Sequence, residues 1–273
     1  MILIFDTYGG LCNQMYDIHY AINFCINYNM SFSFRYCSFR EEDDLTKWYD
    51  MPFHLLFNDS FIKTNLYIQI DKLELNNENT YLLNNTIRAI NWLDKDRLLL
   101  PQLDALNKKF IVLRQFWSVC PPIPETINFF QLILPCKKIK YLFKEIQKDL
   151  PDKYNFLHYR YEDDFIAHFR IKNHKKLCYL LENIKFRQKL PIYIGAFQIN
   201  QIPGKYLSKP IESFPNVVFK DQIKKNINFM NFEELAFIDF LIGKNAIQIY
   251  GHSNSSFSNL LNIAHNTNFY YNQ

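Results

Sequence analysis

The segment that most restricts what this chain can become is its first. Ile2-Leu3-Ile4-Phe5-Asp6 is a short apolar run, Tyr8-Gly9-Gly10-Leu11 reads as a turn, and from Asn13 onward Met15, Ile18, Ile22, Cys25 and Ile26 recur at helical spacing. A buried strand, a glycine turn and an amphipathic helix, in that order, open an α/β unit.

The second half repeats the alternation more clearly. Strands are expected at 156–160, 191–195, 217–219 and 246–250. Helices are expected over 165–190, over 233–243 with Leu235, Ile238, Phe240 and Leu241 as apolar positions, and in the segment 253–265. Such alternation implies a parallel sheet with helices on both faces. In the first half, 111–116 reads as another buried strand, and Pro121-Pro122-Ile123-Pro124 breaks regular structure. A helix follows over 137–150, with Ile139, Leu142, Phe143 and Ile146 on one face. The segment 35–110 has no clear period, and its acidic run Glu41-Glu42-Asp43-Asp44 reads as a solvated loop or helix start. A chain of 273 residues has the material for two modest cores. We expect domains at 1–135 and 136–273.

Charge narrows the partners. With 31 basic and 27 acidic residues, the net charge of +4 suits a pocket for an anionic small molecule and gives no case for nucleic acid. No apolar run is long enough to span a membrane, and the N-terminus lacks a basic leader, so a cytoplasmic protein without a membrane span is expected. The six cysteines include no CxxC pair; they read as reduced, buried thiols and not as a zinc site.

Ligands of open α/β sheets bind beyond the carboxyl ends of the strands, and three unusual stretches lie at such ends. Gly9-Gly10-Leu11-Cys12-Asn13-Gln14 is either a plain tight turn or a close approach to an anion, with Asn13 and Gln14 as neutral donors at the helix start. In His158-Tyr159-Arg160, followed by Glu162, Asp163 and Asp164, the His158 and Arg160 side chains share a strand face and could hold a pyrophosphate. The alternative is a surface ion pair of Arg160 with one of the acids. Gly251-His252-Ser253-Asn254-Ser255-Ser256-Phe257-Ser258 is a helix cap or a phosphate loop, with more serines than one cap needs.

These three stretches, in this order, resemble the GDP-fucose protein O-fucosyltransferase superfamily. The resemblance extends to Ile192-Tyr193-Ile194-Gly195 and to Ala236-Phe237-Ile238-Asp239-Phe240, and spans residue 1 to about 262. It implies an α/β, GT-B-like architecture, with two Rossmann-like domains facing a central cleft. It also implies an inverting, metal-independent transfer of fucose from GDP-fucose, with no cofactor beyond that donor. The acceptor would be a glycan, a small molecule or a protein. By the same resemblance, Gly9 and Gly10 line the donor site and Asn13 lies near the sugar. His158 contacts the donor, and Arg160 neutralises the β-phosphate. Asp239 faces the guanine or ribose, while Ser255, Ser256 and Phe257 hold the pyrophosphate. The general base is open among Glu162, Asp163 and Asp6, with Glu162 favoured. Two other readings stay open: a related enzyme using another nucleotide-sugar, and a binding protein that has lost catalysis. The aromatics Phe53, Phe57, Phe61 and Tyr67 are candidates for an acceptor groove or for core.

Overall fold

The structure, a computed structural model, describes residues 1–41, 44, 47–83, 99–114, 133–159, 189–196, 216–219, 230–252, 255–265 and 269–272. The chain divides into two compact units, Met1–Lys138 and Ile139–Gln273.

The first unit is built on a parallel sheet of order β2-β1-β7-β6, made of β1 (Ile2–Asp6), β2 (Ser31–Phe34), β6 (Thr80–Leu83) and β7 (Phe110–Arg114). A parallel strand between two neighbours is covered on both faces, so β1 and β7 are near-continuous apolar runs. Leu3, Ile4, Ile111 and Val112 are fully or almost fully buried. The helix α1 (Leu11–Asn27) begins two residues before the expected start, and buries Met15, Ile18, Ile22 and Cys25 as its spacing demands. Ile26, expected on that face, is half exposed in the last turn.

The aperiodic segment contains an antiparallel hairpin, β3 (Tyr36–Arg40) and β4 (Trp48–Pro52), in which Ser38 pairs with Asp50. A second small pair joins β5 (Phe57–Asn58) to β8 (Leu134–Pro135). Helix α2 (Lys137–Gln147) follows and buries Ile139 and Ile146.

The second unit has a parallel sheet of order β11-β10-β9-β12-β13, from β9 (Asn155–His158), β10 (Ile192–Gly195), β11 (Val217–Phe219), β12 (Ile249–His252) and β13 (Phe269–Asn272). Helix α3 (Phe232–Lys244) opens with a capping box between Asn231 and Glu234, and α4 (Ser256–His265) follows β12. Phe237, Ile238, Phe240 and Ile242 of α3 are buried, whereas Leu235 and Leu241 are only partly so. The strand expected at 246–250 starts later, at Ile249, because Ala246 and Ile247 are taken up by bonds to Gly243 O and Tyr154 O. The expected α/β class, with parallel sheets and covering helices, is the one observed. The expected helix over 165–190 lies outside the described residues.

Candidate functional site

In each sheet one strand has its successor on one side and a later strand on the other. The crevice that opens between such strands, at their carboxyl ends, is where doubly wound folds bind ligands. In the second sheet this point lies between β9 and β12. His158 ends β9, His252 ends β12, and Gly195, at the end of β10, lies beside His158 in register. The sheet therefore brings together the second and third sequence motifs.

A serine fastens them. Ser258, fully buried in the first turn of α4, has its Oγ 2.7 Å from His158 Nδ1 and accepts the His252 N–H at 2.9 Å. The His158 ring also packs on Phe257, with centroids 4.5 Å apart. Ser255 is buried just before α4 and its carbonyl accepts Asn259 N–H, while Ser256 and Phe257 stay partly exposed. The N-terminus of α4 thus faces the carboxyl ends of β9 and β12, with a hydroxyl, an aromatic face and helix amides around one point. Ser258 was one serine among four in the motif, and nothing local marks it as the one that holds the histidine.

Asp239, on α3, is 4% exposed and its Oδ1 accepts the Tyr193 hydroxyl at 2.7 Å, so one of its oxygens is committed inside the fold. Arg160, Glu162, Asp163, Ser253 and Asn254 lie outside the described residues.

In the first unit the glycine turn is held from below. Gly9 has φ 87°, a left-handed conformation that favours glycine, and Gly10 is the N-cap of α1. Asp17 Oδ2 accepts the Tyr8 N–H at 3.1 Å. Gln14, read from sequence as a ligand donor, is instead a fully buried staple. Its Nε2 donates to Gly9 O and Ser38 O, both at 2.8 Å, and its Oε1 accepts Thr7 Oγ1 at 2.8 Å and Ser38 N at 3.1 Å. Every hydrogen-bonding position of the amide is thereby used, so none remains for a ligand. Asn13 is partly exposed one residue earlier.

The switch point of the first sheet lies between β1 and β7, where Asp6 and Arg114 are register partners at the strand ends. Asp6 is 3% exposed and is gripped by Arg35, Nε to Oδ1 at 3.0 Å and Nη2 to Oδ2 at 2.6 Å. Burial pushes its carboxyl above the usual carboxylate range, against the lowering effect of Arg35. Arg114 pairs with Asp50 of β4. Arg40, at the end of β3, lies over the Trp48 ring at 4.7 Å, and a Cβ on Gly10 would meet its Nη2 at 3.4 Å.

Three of the four aromatics considered for an acceptor groove belong to the core. Phe53, Phe57 and Phe61 are buried, with Phe53 stacked on Phe34 at 4.8 Å and on Phe57 at 5.0 Å. Tyr67 lines an open cavity of about 570 Å³ with Asp59, Ser60, Lys63, Gln69 and Lys72, and donates its hydroxyl to Asp59 at 2.8 Å.

Among the described residues, Cys12, Cys25, Cys37 and Cys136 are buried and form no disulfide, no three His, Cys, Asp or Glu side chains are grouped as metal ligands, and no helix is long and apolar enough to cross a membrane.

No family model and no curated relative matches the sequence. Solved structures do match over nearly the whole chain. POFUT1 in complex with GDP-fucose aligns with a TM-score of 0.66 at 8% identity, covering 98% of this chain and 97% of that one. The fucosyltransferase NodZ from Bradyrhizobium aligns with a TM-score of 0.57 at 11% identity, covering 95% and 92%. NodZ alpha-1,6-fucosyltransferase soaked with GDP-fucose gives 0.58 at 13% identity, covering 96% and 91%. The chain has the fold of these fucosyltransferases. At such identities the likeness carries backbone architecture and not the side chains of a site, so the residues above must make their own case.

Proposed function

We propose that the protein is an inverting, metal-independent glycosyltransferase that moves fucose from GDP-fucose to a hydroxyl of a glycan or protein. The observation that carries this reading is the His158–Ser258–His252 junction at the switch point of the second sheet, on a fold whose solved examples hold GDP and GDP-fucose. A nucleoside diphosphate needs donors for its phosphates and a surface for its base or sugar. The N-terminus of α4, Ser255 and Ser256 supply the donors, and Phe257 supplies the surface.

The chemistry follows from charge. As the bond from the anomeric carbon to the diphosphate breaks, negative charge grows on the β-phosphate, and catalysis requires that charge to be stabilised more in the transition state than in the substrate. Arg160 takes that role, through two parallel charge-assisted hydrogen bonds, together with the α4 amides. His158, held by Ser258 and packed on Phe257, stands at the donor side of this junction. Asp239, which accepts the Tyr193 hydroxyl, supports the nucleotide side.

Calorimetric titration with GDP, with and without a chelator, tests the donor reading. Micromolar binding that survives chelation and weakens by about 1.5–3 kcal/mol in Arg160→Ala is expected. A folded protein that ignores GDP but binds UDP would remove the assignment of GDP-fucose.

A further inference from the structure

Ser258 is fully buried in the first turn of α4, so its hydroxyl is satisfied by the protein and not by bulk water. Among the described residues it has two partners. The His252 N–H reaches its Oγ at 2.9 Å, and His158 Nδ1 lies 2.7 Å away. The first contact has a fixed direction, because a backbone N–H can only donate. It occupies one acceptor position of the hydroxyl and leaves its single proton to be placed.

That proton decides the state of the histidine. A neutral imidazole carries its own proton on one nitrogen and accepts with the other. With the ring proton on Nδ1, the ring would donate to Oγ. The hydroxyl would then accept twice and turn its proton into the interior, with no acceptor for it among the described residues. A buried donor left in that state costs more than an ordinary hydrogen bond returns. With Nδ1 bare, Ser258 donates to it, and the hydroxyl proton and the ring nitrogen satisfy each other. His158 is held to this choice by its surroundings. It is 5% exposed, it ends β9, and its ring packs on Phe257 with centroids 4.5 Å apart.

We propose that Ser258 is a positioning residue that sets the tautomer of His158: Nδ1 accepts from the serine, and the ring proton stands on Nε2. The consequence for fucosyl transfer rests on the donor reading above. A neutral imidazole has one ring lone pair, and here the serine engages it. His158 therefore cannot take the proton of an attacking hydroxyl. What it can offer a diphosphate oxygen is a single N–H. The serine thus assigns His158 to holding the donor and excludes it as the general base.

The test has two arms. Protein with isotope-labelled histidine nitrogens, at about pH 8 where an ordinary imidazole is neutral, reads the tautomer by NMR. The His158 signals are identified by their loss in His158→Ala. The expected spectrum has one tautomer, with the proton on Nε2 and with Nδ1 at the shift of a nitrogen that accepts a hydrogen bond. Ser258→Ala should lose that accepting shift. In the second arm, calorimetry measures GDP affinity in wild type, Ser258→Ala, His158→Ala and the double variant. Ser258→Ala should weaken GDP about three- to tenfold when His158 is present. In the His158→Ala background the same change should stay within about twofold. A serine that served only to anchor the His252 N–H would cost the same in both backgrounds. That result would overturn the assignment, as would a proton on Nδ1, protons on both nitrogens, or an Nδ1 signal unchanged in Ser258→Ala. A wild type that binds no GDP overturns the role in holding the donor, and the NMR spectrum then decides the tautomer by itself.

Discussion

His158 Nδ1 and Ser258 Oγ are 2.7 Å apart although a hundred residues separate them in the chain. The contact is buried, and the same hydroxyl accepts the His252 N–H, so one serine ties the carboxyl ends of two adjacent parallel strands to the start of α4. Ser258→Ala leaves two polar groups without that partner. It is expected to destabilise the protein by about 1–3 kcal/mol in urea unfolding and to weaken GDP binding in the folded state. Ser256, two residues earlier, is partly exposed. Ser256→Ala should change stability by no more than about 0.5 kcal/mol yet still weaken GDP binding. If Ser258→Ala unfolds at the wild-type urea concentration, the junction has no structural role.

The turn after β1 depends on Gln14 and Gly9 in different ways. Gln14→Ala removes four hydrogen bonds and strands the Gly9 and Ser38 carbonyls in the interior, for an expected loss of about 2 kcal/mol or more. Gly9→Ala keeps those partners but places a Cβ at φ 87°, for an expected loss of about 1–2 kcal/mol. Chemical denaturation measures both. Equal, negligible losses would mean that the turn relaxes to another conformation.

The strand–turn–helix opening is legible in the sequence because a strand buried on both faces must be apolar throughout, as β1 and β7 are. The residue types of the second-unit site are legible too, since His158 and the serine loop each stand where an expected strand ends. Their contact is not, because sequence gives no register between β9 and β12. The hairpin β3–β4 escapes for another reason. Tyr36-Cys37-Ser38-Phe39-Arg40 buries both Cys37 and Ser38, so its polar residues do not alternate to a solvent face. Asp50 therefore carries no local signal, and its partner Arg114 lies 64 residues away.

The aromatic run of the first unit gives a result opposite to that expected of an acceptor groove. Phe57 is fully buried and stacks on Phe53. Phe57→Ala should cost about 3–5 kcal/mol, so stability and GDP binding fall together at working temperature. Tyr67→Phe loses the bond to Asp59 on the wall of the open cavity but keeps the ring, and should cost about 1 kcal/mol. Thermal unfolding of the two variants separates core from rim. A Phe57→Ala protein of wild-type stability would return that residue to the list of surface contacts.

His19 gives the fold a pH dependence of calculable sign. It is 1% exposed on α1, and burial lowers its pKa to about 4. Asn23 Nδ2 lies 2.7 Å from Nε2, so Nε2 accepts in the neutral ring, and a proton there would set donor against donor. The folded pKa is below the unfolded value of about 6.5, so the unfolded chain takes up the proton first as pH falls. The stability His19 contributes is fully present above about pH 6.5 and is lost as pH drops toward about 4, to a total of about 3 kcal/mol. Urea midpoints at pH 7 and pH 4.5 read this loss directly. In His19→Gln the side chain cannot take up a proton and its amide oxygen can still accept from Asn23. The difference between the two midpoints should therefore shrink by most of that amount. An unchanged difference would assign the acid sensitivity to other groups.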